Sequence, residues 1–227
     1  MIVRTRPTQP ASDGRRDATR ALAVASLGLL AAPMALAQST LPPPGKSYRL
    51  VKPAQATGVP KGKLEVIEFF WYGCPHCNAL EPLIKAWALR LPIDVTFRRV
   101  HVPFRERRHQ RLYFTLVAMG KDDELGQKVF DAIHKAHDPL DTDRLITTWA
   151  EAQGLERKAF TDAYRSFGVD AAMKRADKMV DAYGVDGVPA LAVNGKYYTS
   201  PSMAGSNGAA LQLVDALLAE ERRLAAQ

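Results

Sequence analysis

The fold is decided by one nine-residue stretch, Phe69-Phe70-Trp71-Tyr72-Gly73-Cys74-Pro75-His76-Cys77, which holds the only two cysteines of the 227-residue chain. The apolar run Leu64–Tyr72 leads into it and is typical of a strand buried on both faces. Apolar residues then recur at steps of three and four, at Leu80, Leu83, Ile84, Trp87 and Leu91, which predicts a helix over Pro75–Leu91. Pro75 suits a first helical turn, because a missing N–H costs nothing there. We therefore expect the cysteine pair at a helix N-terminus.

The flanking segments extend this unit into a sheet. Ile93–Val102 alternates and predicts a second strand, so that strand, helix and strand form a parallel unit. Far downstream, Val188–Val193 and Lys196–Thr199 flank Asn194-Gly195, which is a strong hairpin signal. Ala209–Leu224 has the apolar spacing of a closing amphipathic helix, whose apolar side holds Leu211, Val214, Leu218 and Leu224.

Residues 105–183 carry no convincing strand signal. The candidate helices are Glu106–Met119, Asp123–His137, Thr142–Gln153, Glu156–Phe167 and Asp170–Tyr183. Thr142 and Asp170 are their predicted N-caps. We predict an α/β fold in which residues 63–104 and 184–227 form one domain, and residues 105–183 form an all-helical domain inserted into it.

The first 37 residues have the composition of a secretory signal peptide. Arginines precede the apolar run Ala21–Ala32, and Ala35-Leu36-Ala37 has the pattern of a cleavage site, so we expect cleavage after Ala37. The run is too short to span a bilayer as a stable helix. Arg15-Arg16 raises the alternative of a twin-arginine signal, although the next residues, Asp17-Ala18-Thr19, fit it poorly.

Residues 38–62 are rich in proline and glycine and predict an extended lead-in, with one short strand at Ser47–Lys52. The leader contributes +3 of the formal net charge of +7, which leaves a modest +4 for the remainder. This excess does not indicate nucleic-acid binding. Export would place the cysteines outside the reducing cytosol. A bridge that closes so short a loop is a weak structural staple, so reactivity explains the pair better.

The spacing of the two cysteines predicts unequal thiols. At a helix N-terminus, free N–H groups and the helix dipole favour a Cys74 thiolate, and His76 adds a donor and, when protonated, a positive charge. Stabilising the thiolate makes the disulfide more oxidising. Cys77, one turn into the helix, is expected to be less exposed and to act as the resolving thiol.

Cys-x-x-Cys can also bind zinc, but a structural site needs four ligands and a catalytic site usually three. The five histidines show no tight ligand spacing with the pair; they are His76, His101, His109, His134 and His137. We therefore expect no metal and no cofactor.

Two charged features accompany the pair. Glu68 interrupts the buried strand, and it either faces a wet edge or is a buried carboxylate that relays protons for Cys77, with Arg99 as a possible partner. The arginines between Arg98 and Arg111 form a basic cluster that we interpret as a solvated face, since no aromatic residues interleave it.

Val188-Pro189 opens a strand. It is either an edge proline, which strand starts allow, or a cis peptide packed against the dithiol. The second interpretation would leave the Val188 backbone free to pair with an extended client peptide.

Three segments together resemble the DsbA family of bacterial periplasmic disulfide oxidases. They are Val66-Ile67-Glu68-Phe69-Phe70-Trp71-Tyr72-Gly73-Cys74-Pro75-His76-Cys77, Gly187-Val188-Pro189-Ala190 and Val193-Asn194-Gly195-Lys196-Tyr197. The resemblance covers nearly all of residues 46–224. It implies a thioredoxin fold with an inserted helical domain.

By position, the resemblance makes Cys74 the exposed nucleophile, Cys77 the buried partner and Pro189 the cis-proline. Pro75 and His76 tune the pair, and Glu68 matches the buried acid. The resemblance also implies reoxidation by a quinone-linked membrane protein, DsbB.

We therefore predict a monomeric, periplasmic thiol:disulfide oxidoreductase that donates a Cys74–Cys77 disulfide to folding exported proteins with free cysteines. The alternatives are a disulfide isomerase or reductase on the same fold, a zinc-binding module and a peptide-binding chaperone.

Overall fold

A mixed five-stranded sheet forms the centre of the computed structural model, which describes residues 41–227. The predicted signal peptide and its cleavage after Ala37 lie outside the described residues. The strands are β1 (Arg49–Leu50), β2 (Leu64–Phe70), β3 (Val95–His101), β4 (Ala190–Val193) and β5 (Tyr197–Thr199). They lie in the order β1-β5-β4-β2-β3, and β2–β3 is the parallel pair of the sheet. The predicted parallel unit is confirmed.

Helices cover both faces of this sheet and fill the connection between β3 and β4. They are α1 (Pro75–Ala88), α2 (Arg107–Ala118), α3 (Asp122–His134), α4 (Asp143–Ala152), α5 (Arg157–Tyr164), α6 (Phe167–Tyr183), α7 (Pro201–Ala204) and α8 (Asn207–Ala225). The segment from α2 to α6 contains no strand, so the predicted helical block within an α/β fold is confirmed. The exact domain boundaries stay a prediction.

Strand β2 is buried along its length because both of its faces are covered. Val66 packs with α1 and α8 on one face, whereas Ile67 and Phe69 pack with α6 on the other. Phe70, at the end of the strand, belongs to a third cluster that joins the cysteine pair to helices α2 to α5. The turn that carries Cys74 and Cys77 is therefore packed between the sheet and the helical block.

The hairpin between β4 and β5 has the predicted turn. Asn194 and Gly195 both have positive φ angles, of 49° and 69°, as a tight hairpin turn requires. A Cβ at position 195 would lie 2.0 Å from the Gln55 carbonyl oxygen, so only glycine fits. The hairpin is tied to α8 through the buried carboxylate of Glu221, which accepts hydrogen bonds from Asn194, from Lys196 at 2.7 Å and from the Tyr197 hydroxyl at 3.0 Å.

Helix α1 differs from its prediction at its C-terminus. It ends at Ala88 because the N–H groups of Arg90 and Leu91 bond to carbonyls three residues back, and Pro92 disfavours further helix. Leu83, which belongs to the predicted apolar face, is 46% exposed.

Two predicted features of the later helices are wrong. Asp170 is not an N-cap: α6 begins at Phe167, because the Ser166 hydroxyl accepts the Val169 N–H, and Asp170 lies in the first turn. Leu224 is 42% exposed rather than on the buried side of α8. The predicted cap at Thr142 is confirmed, since its hydroxyl accepts the Leu145 N–H.

Candidate active site

The cysteine pair lies at the start of α1. Cys74 occupies the N-cap position with extended backbone, φ −90° and ψ 118°, and Pro75 opens the helix. Both cysteines are free thiols. Cys74 is 7% exposed and Cys77 is fully buried, so Cys74 is the sulfur that a partner can reach. The exposed His76 lies between them.

The surroundings of the two sulfurs shift their pKa values in opposite directions. A hydrogen bond from the Cys77 thiol is the largest of the effects that lower the pKa of Cys74 to about 6; the peptide N–H groups of Cys77 and His76 and the His76 charge add to it, while burial opposes them. Burial raises the pKa of Cys77 well above its usual range, and the neighbouring Cys74 and Glu68 raise it further. The pair therefore combines a stable thiolate with a strongly held proton.

The loop before β4, which contains Val188 and Pro189, lies against Cys74. The Val188–Pro189 peptide bond is cis, which confirms the second interpretation, a cis peptide packed against the dithiol, over a simple edge proline. The Cys74 thiol donates to the Val188 carbonyl oxygen at 3.4 Å. A groove of about 590 Å³ runs beside this contact and is lined by the loop and by His76, among other residues. An extended chain in this groove would pass beside Val188, whose carbonyl oxygen contacts the Cys74 thiol.

Glu68 is buried beneath the pair and belongs to a charged network. Its Oε2 accepts from Arg99 Nε at 2.6 Å, so the predicted partner is confirmed. Arg99 also bonds to both carboxylate oxygens of Glu81, at 3.2 and 2.6 Å. Burial raises the pKa of Glu68 although Arg99 opposes this shift. Among the described residues, Glu68 Oε1 has no hydrogen-bond partner, which leaves one oxygen free to take a proton.

Sequence reasoning missed Glu81. It lies four residues after Cys77, and this spacing places both on one face of α1. The charge of Glu81 obscured that signal, because charged residues are rarely buried without a partner. The partner is Arg99, whose side chain is 14% exposed.

The predicted basic cluster does not exist as a single solvated face. Arg99 is drawn inward by the two glutamates, and Arg98 bonds to buried Glu65. On the helical block, Arg107 and Arg111 pair with aspartates of α6. These arginines hold elements together rather than forming one free positive surface.

Two further properties follow from the described part of the chain. None of its helices combines the length and the apolar character needed to cross a bilayer. Within residues 41–227, no three histidine, cysteine or acidic side chains come together in a way that would hold a metal ion.

A βαβ unit with Cys-x-x-Cys at the helix N-terminus, facing a cis-proline loop, defines the class of thioredoxin-fold dithiol–disulfide oxidoreductases. The family model for the DSBA-like thioredoxin domain matches residues 79–212. Thiol:disulfide interchange protein DsbA of Burkholderia cepacia is 40% identical over 195 residues, covering 85% of this chain and 92% of the relative. Its counterpart from Azotobacter vinelandii is 44% identical over 163 residues, covering 71% and 76%.

Solved structures agree with these sequence relatives. The crystal structure of Pseudomonas aeruginosa DsbA superposes with a TM-score of 0.79 at 38% identity, covering 82% of this chain and 97% of that one. The oxidoreductase NmDsbA1 from N. meningitidis gives a TM-score of 0.70 at 25% identity, covering 81% and 95%. The chain belongs to the DsbA family of thioredoxin-fold proteins, and it is a dithiol–disulfide oxidoreductase.

Proposed function

We propose that this protein oxidises folding proteins outside the cytosol by donating a Cys74–Cys77 disulfide to them. The observation that carries this proposal is the asymmetry of the pair: Cys74 has a pKa of about 6, whereas Cys77 is buried and keeps its proton. A stable Cys74 thiolate favours the reduced form, and therefore favours transfer of the disulfide to a client.

The exchange proceeds in two displacements. A client thiolate attacks the Cys74 sulfur, the Cys74–Cys77 bond breaks, and Cys77 leaves with the electron pair and takes up a proton. A second client thiolate then attacks the client sulfur of the mixed disulfide and expels Cys74 as a thiolate. The client loses two electrons, and the Cys74–Cys77 pair gains them.

Glu68 is the group that we assign to proton exchange with Cys77. It is fully buried, its pKa is raised and its Oε1 has no hydrogen-bond partner among residues 41–227. Its charge acts on Cys77, whose pKa it helps to raise. A carboxyl with these properties can give a proton to Cys77 when it leaves, which supports a role beside the pair rather than in contact with the client.

The client is proposed to lie along the groove beside Val188 and Pro189. Val188 directs its carbonyl oxygen at the Cys74 thiol. Its N–H makes no backbone hydrogen bond with any residue of the described chain, so it is available to an added strand. Main-chain pairing of this kind accepts many sequences, as an oxidase with varied clients requires.

The cellular setting is also part of the proposal. The leader pattern supports export to the periplasm with cleavage after Ala37, by a general or another secretion route. Membership of the DsbA family supports a quinone-linked membrane reoxidant of the DsbB kind. We propose that the protein acts as a monomer, with the helical domain of residues 105–183 inserted between the two parts of its thioredoxin domain.

The test uses the oxidised protein, a reduced unfolded client with two cysteines, and the variants Cys74→Ser and Cys77→Ser. The wild type should form the client disulfide, and Cys74→Ser should be inactive. Cys77→Ser, activated as a mixed disulfide, should stay trapped on a version of the client that has a single cysteine, because neither Cys77 nor a second client thiol can then resolve the bond. An active Cys74→Ser variant would falsify the assigned polarity. Client binding without oxidation would instead indicate a peptide-binding chaperone.

The equilibrium of the pair with glutathione separates the oxidase from the reductase and isomerase alternatives. An oxidase pair should be largely reduced in a buffer where a reductase pair stays oxidised, because potentials on this fold differ by many tens of millivolts and about 30 mV corresponds to tenfold. If the pair stayed oxidised in a buffer with excess reduced glutathione, that result would contradict the proposed direction of transfer.

A further inference from the structure

Within the dipeptide Trp71-Tyr72, which precedes Gly73, the main chain of Trp71 contacts both cysteines. The Trp71 carbonyl oxygen accepts the Cys74 N–H at 3.0 Å. The Trp71 N–H stabilises the Cys77 sulfur, where it lowers the pKa against the larger effect of burial. A shift of this dipeptide would therefore move the surroundings of both sulfurs.

Three imidazoles hold the same dipeptide from three different elements. His101, at the end of β3, accepts the Tyr72 N–H at its Nε2, 3.2 Å away. His134, at the end of α3, donates from Nε2 to the Tyr72 carbonyl oxygen at 2.7 Å. His109, in α2, accepts the Trp71 indole N–H at its Nδ1, 3.2 Å away. Two of the three anchors thus come from the helical block.

The chemistry of His109 fixes its protonation state. Its Nε2 lies 2.8 Å from the Pro139 carbonyl oxygen, and a carbonyl can only accept, so Nε2 carries the proton. Its Nδ1 is then an acceptor and can receive the indole N–H. The ring is 4% exposed, and burial lowers its pKa, which agrees with a neutral ring. His109 is therefore a polar link of defined direction between Pro139 and Trp71.

The position of the Trp71 ring matters to the active-site turn. A Cβ added to Gly73 would lie 2.3 Å from an indole carbon, so the ring covers the residue next to Cys74. Trp71 and Val188, the residue that contacts the Cys74 thiol, pack against the same two apolar clusters. The indole thus packs against apolar residues of the helical block and of the active site.

We propose that His109 and His134 are positioning residues through which the helical block fixes the Trp71–Tyr72 dipeptide, and with it the geometry of the dithiol. This inference deepens the proposed function and rests on it for the identity of the reactive pair. It assigns the helical block a part in the redox chemistry in addition to any part in covering the groove.

The test replaces each histidine with asparagine or with glutamine, because each of these amides keeps a polar group near only one of the two ring nitrogens. Asparagine places a polar atom where Nδ1 lies, and glutamine places one where Nε2 lies. At position 109 the working atom toward Trp71 is Nδ1, so His109→Asn should retain function and His109→Gln should lose it. At position 134 the working atom is Nε2, so the order is reversed. His137→Asn, at an exposed histidine of the same segment, is the matched control.

Three readouts follow each variant: the pH titration of the Cys74 thiolate, the equilibrium with glutathione, and the kcat and KM for client oxidation. Losing one anchoring hydrogen bond should shift the glutathione equilibrium by about three- to tenfold and raise the Cys74 pKa by about half a unit to one unit. His137→Asn should match the wild type. Trp71→Phe should reproduce His109→Gln, and the double variant should be no worse than either single one.

The proposal requires that asparagine but not glutamine be tolerated at position 109, and that glutamine but not asparagine be tolerated at position 134. Equal effects of asparagine and glutamine at both positions, or unchanged titration and equilibrium in all four variants that remain folded, would overturn it. These readouts also separate the two proposals. If the wild-type Cys74 itself titrated like an ordinary thiol, the proposed function would fail; a low wild-type pKa with unaffected variants would remove the positioning role alone.

Discussion

The hydrogen bond from Cys77 is the largest of the effects that lower the pKa of Cys74, and removing its donor is the most direct perturbation of the site. Cys77→Ala removes the donor, whereas Cys77→Ser replaces the thiol with a hydroxyl that can still donate. Neither variant can form the internal disulfide, so the titration of Cys74 is observed alone in both. The difference between them isolates one hydrogen bond at nearly constant side-chain volume.

The size of this difference follows from the charge of the acceptor. A hydrogen bond to a charged group contributes about 1.5–3 kcal/mol, and one pKa unit corresponds to about 1.4 kcal/mol, so the bond accounts for roughly one to two units. We expect Cys74 to titrate near its wild-type pKa of about 6 in Cys77→Ser. In Cys77→Ala the same sulfur should titrate roughly one to two units higher.

The assay is the ultraviolet absorbance of the thiolate as a function of pH, checked against the pH dependence of the alkylation rate. Cys74→Ala in the same background supplies the baseline, because tyrosines also absorb when they ionise. Identical titrations of the alanine and serine variants would refute the assignment. That result would transfer the low pKa to the helix N-terminus and His76.

Three further predictions concern stability and packing. Arg99→Met should destabilise the protein by roughly 3–5 kcal/mol at neutral pH, since two buried glutamates lose their shared cation. The loss should be smaller near pH 4, because burial raises the pKa of Glu68 and a protonated Glu68 needs no cation; urea unfolding at both pH values checks this. Gly73→Ala should displace Trp71 and slow client oxidation about tenfold or more, whereas Gly208→Ala, which has open space and lies outside the groove, should be tolerated. Because the pKa of Cys74 is lower when folded than its ordinary 9.0, its ionisation stabilises the reduced protein fully above about pH 9, and this stabilisation is lost as the pH falls toward 6. The shift of about three pKa units limits this contribution to the free energy of unfolding to about 4 kcal/mol, and solvent screening reduces it to about 2 kcal/mol. Urea unfolding of the reduced wild type and of Cys74→Ala across this pH range measures the contribution.

The architecture was predictable from sequence because its signals are local. A buried strand, a change of period at Pro75 and the Asn194-Gly195 turn each depend on a few adjacent residues, and all three are confirmed. Helix ends were less predictable. Asp170 looks like a cap in isolation, but Ser166 takes that place because its hydroxyl lies closer to the first free N–H groups of α6.

The contacts that surround the dithiol were predictable only in part, because they join residues far apart in the chain. Glu68 and Arg99 face each other in the β2–β3 register, and predicting adjacent parallel strands made Arg99 a candidate partner without fixing that register. His109 and His134 lie 38 and 62 residues from the groups that they hold. Their contacts depend on how α2 and α3 pack against the turn, and no spacing within the sequence encodes that packing.

The buried Glu221 carboxylate has a practical consequence for anyone who trims or extends the chain. Three donors of the β4–β5 hairpin converge on this single acid in the last turns of α8. A tag attached beyond residue 225 leaves the acid in place. Proteolytic cleavage before Glu221 would instead remove the shared acceptor and leave all three donors without it. Since β4 also continues directly from the loop that contacts Cys74, such clipping should impair disulfide transfer even though the cut lies at the opposite end of the sequence.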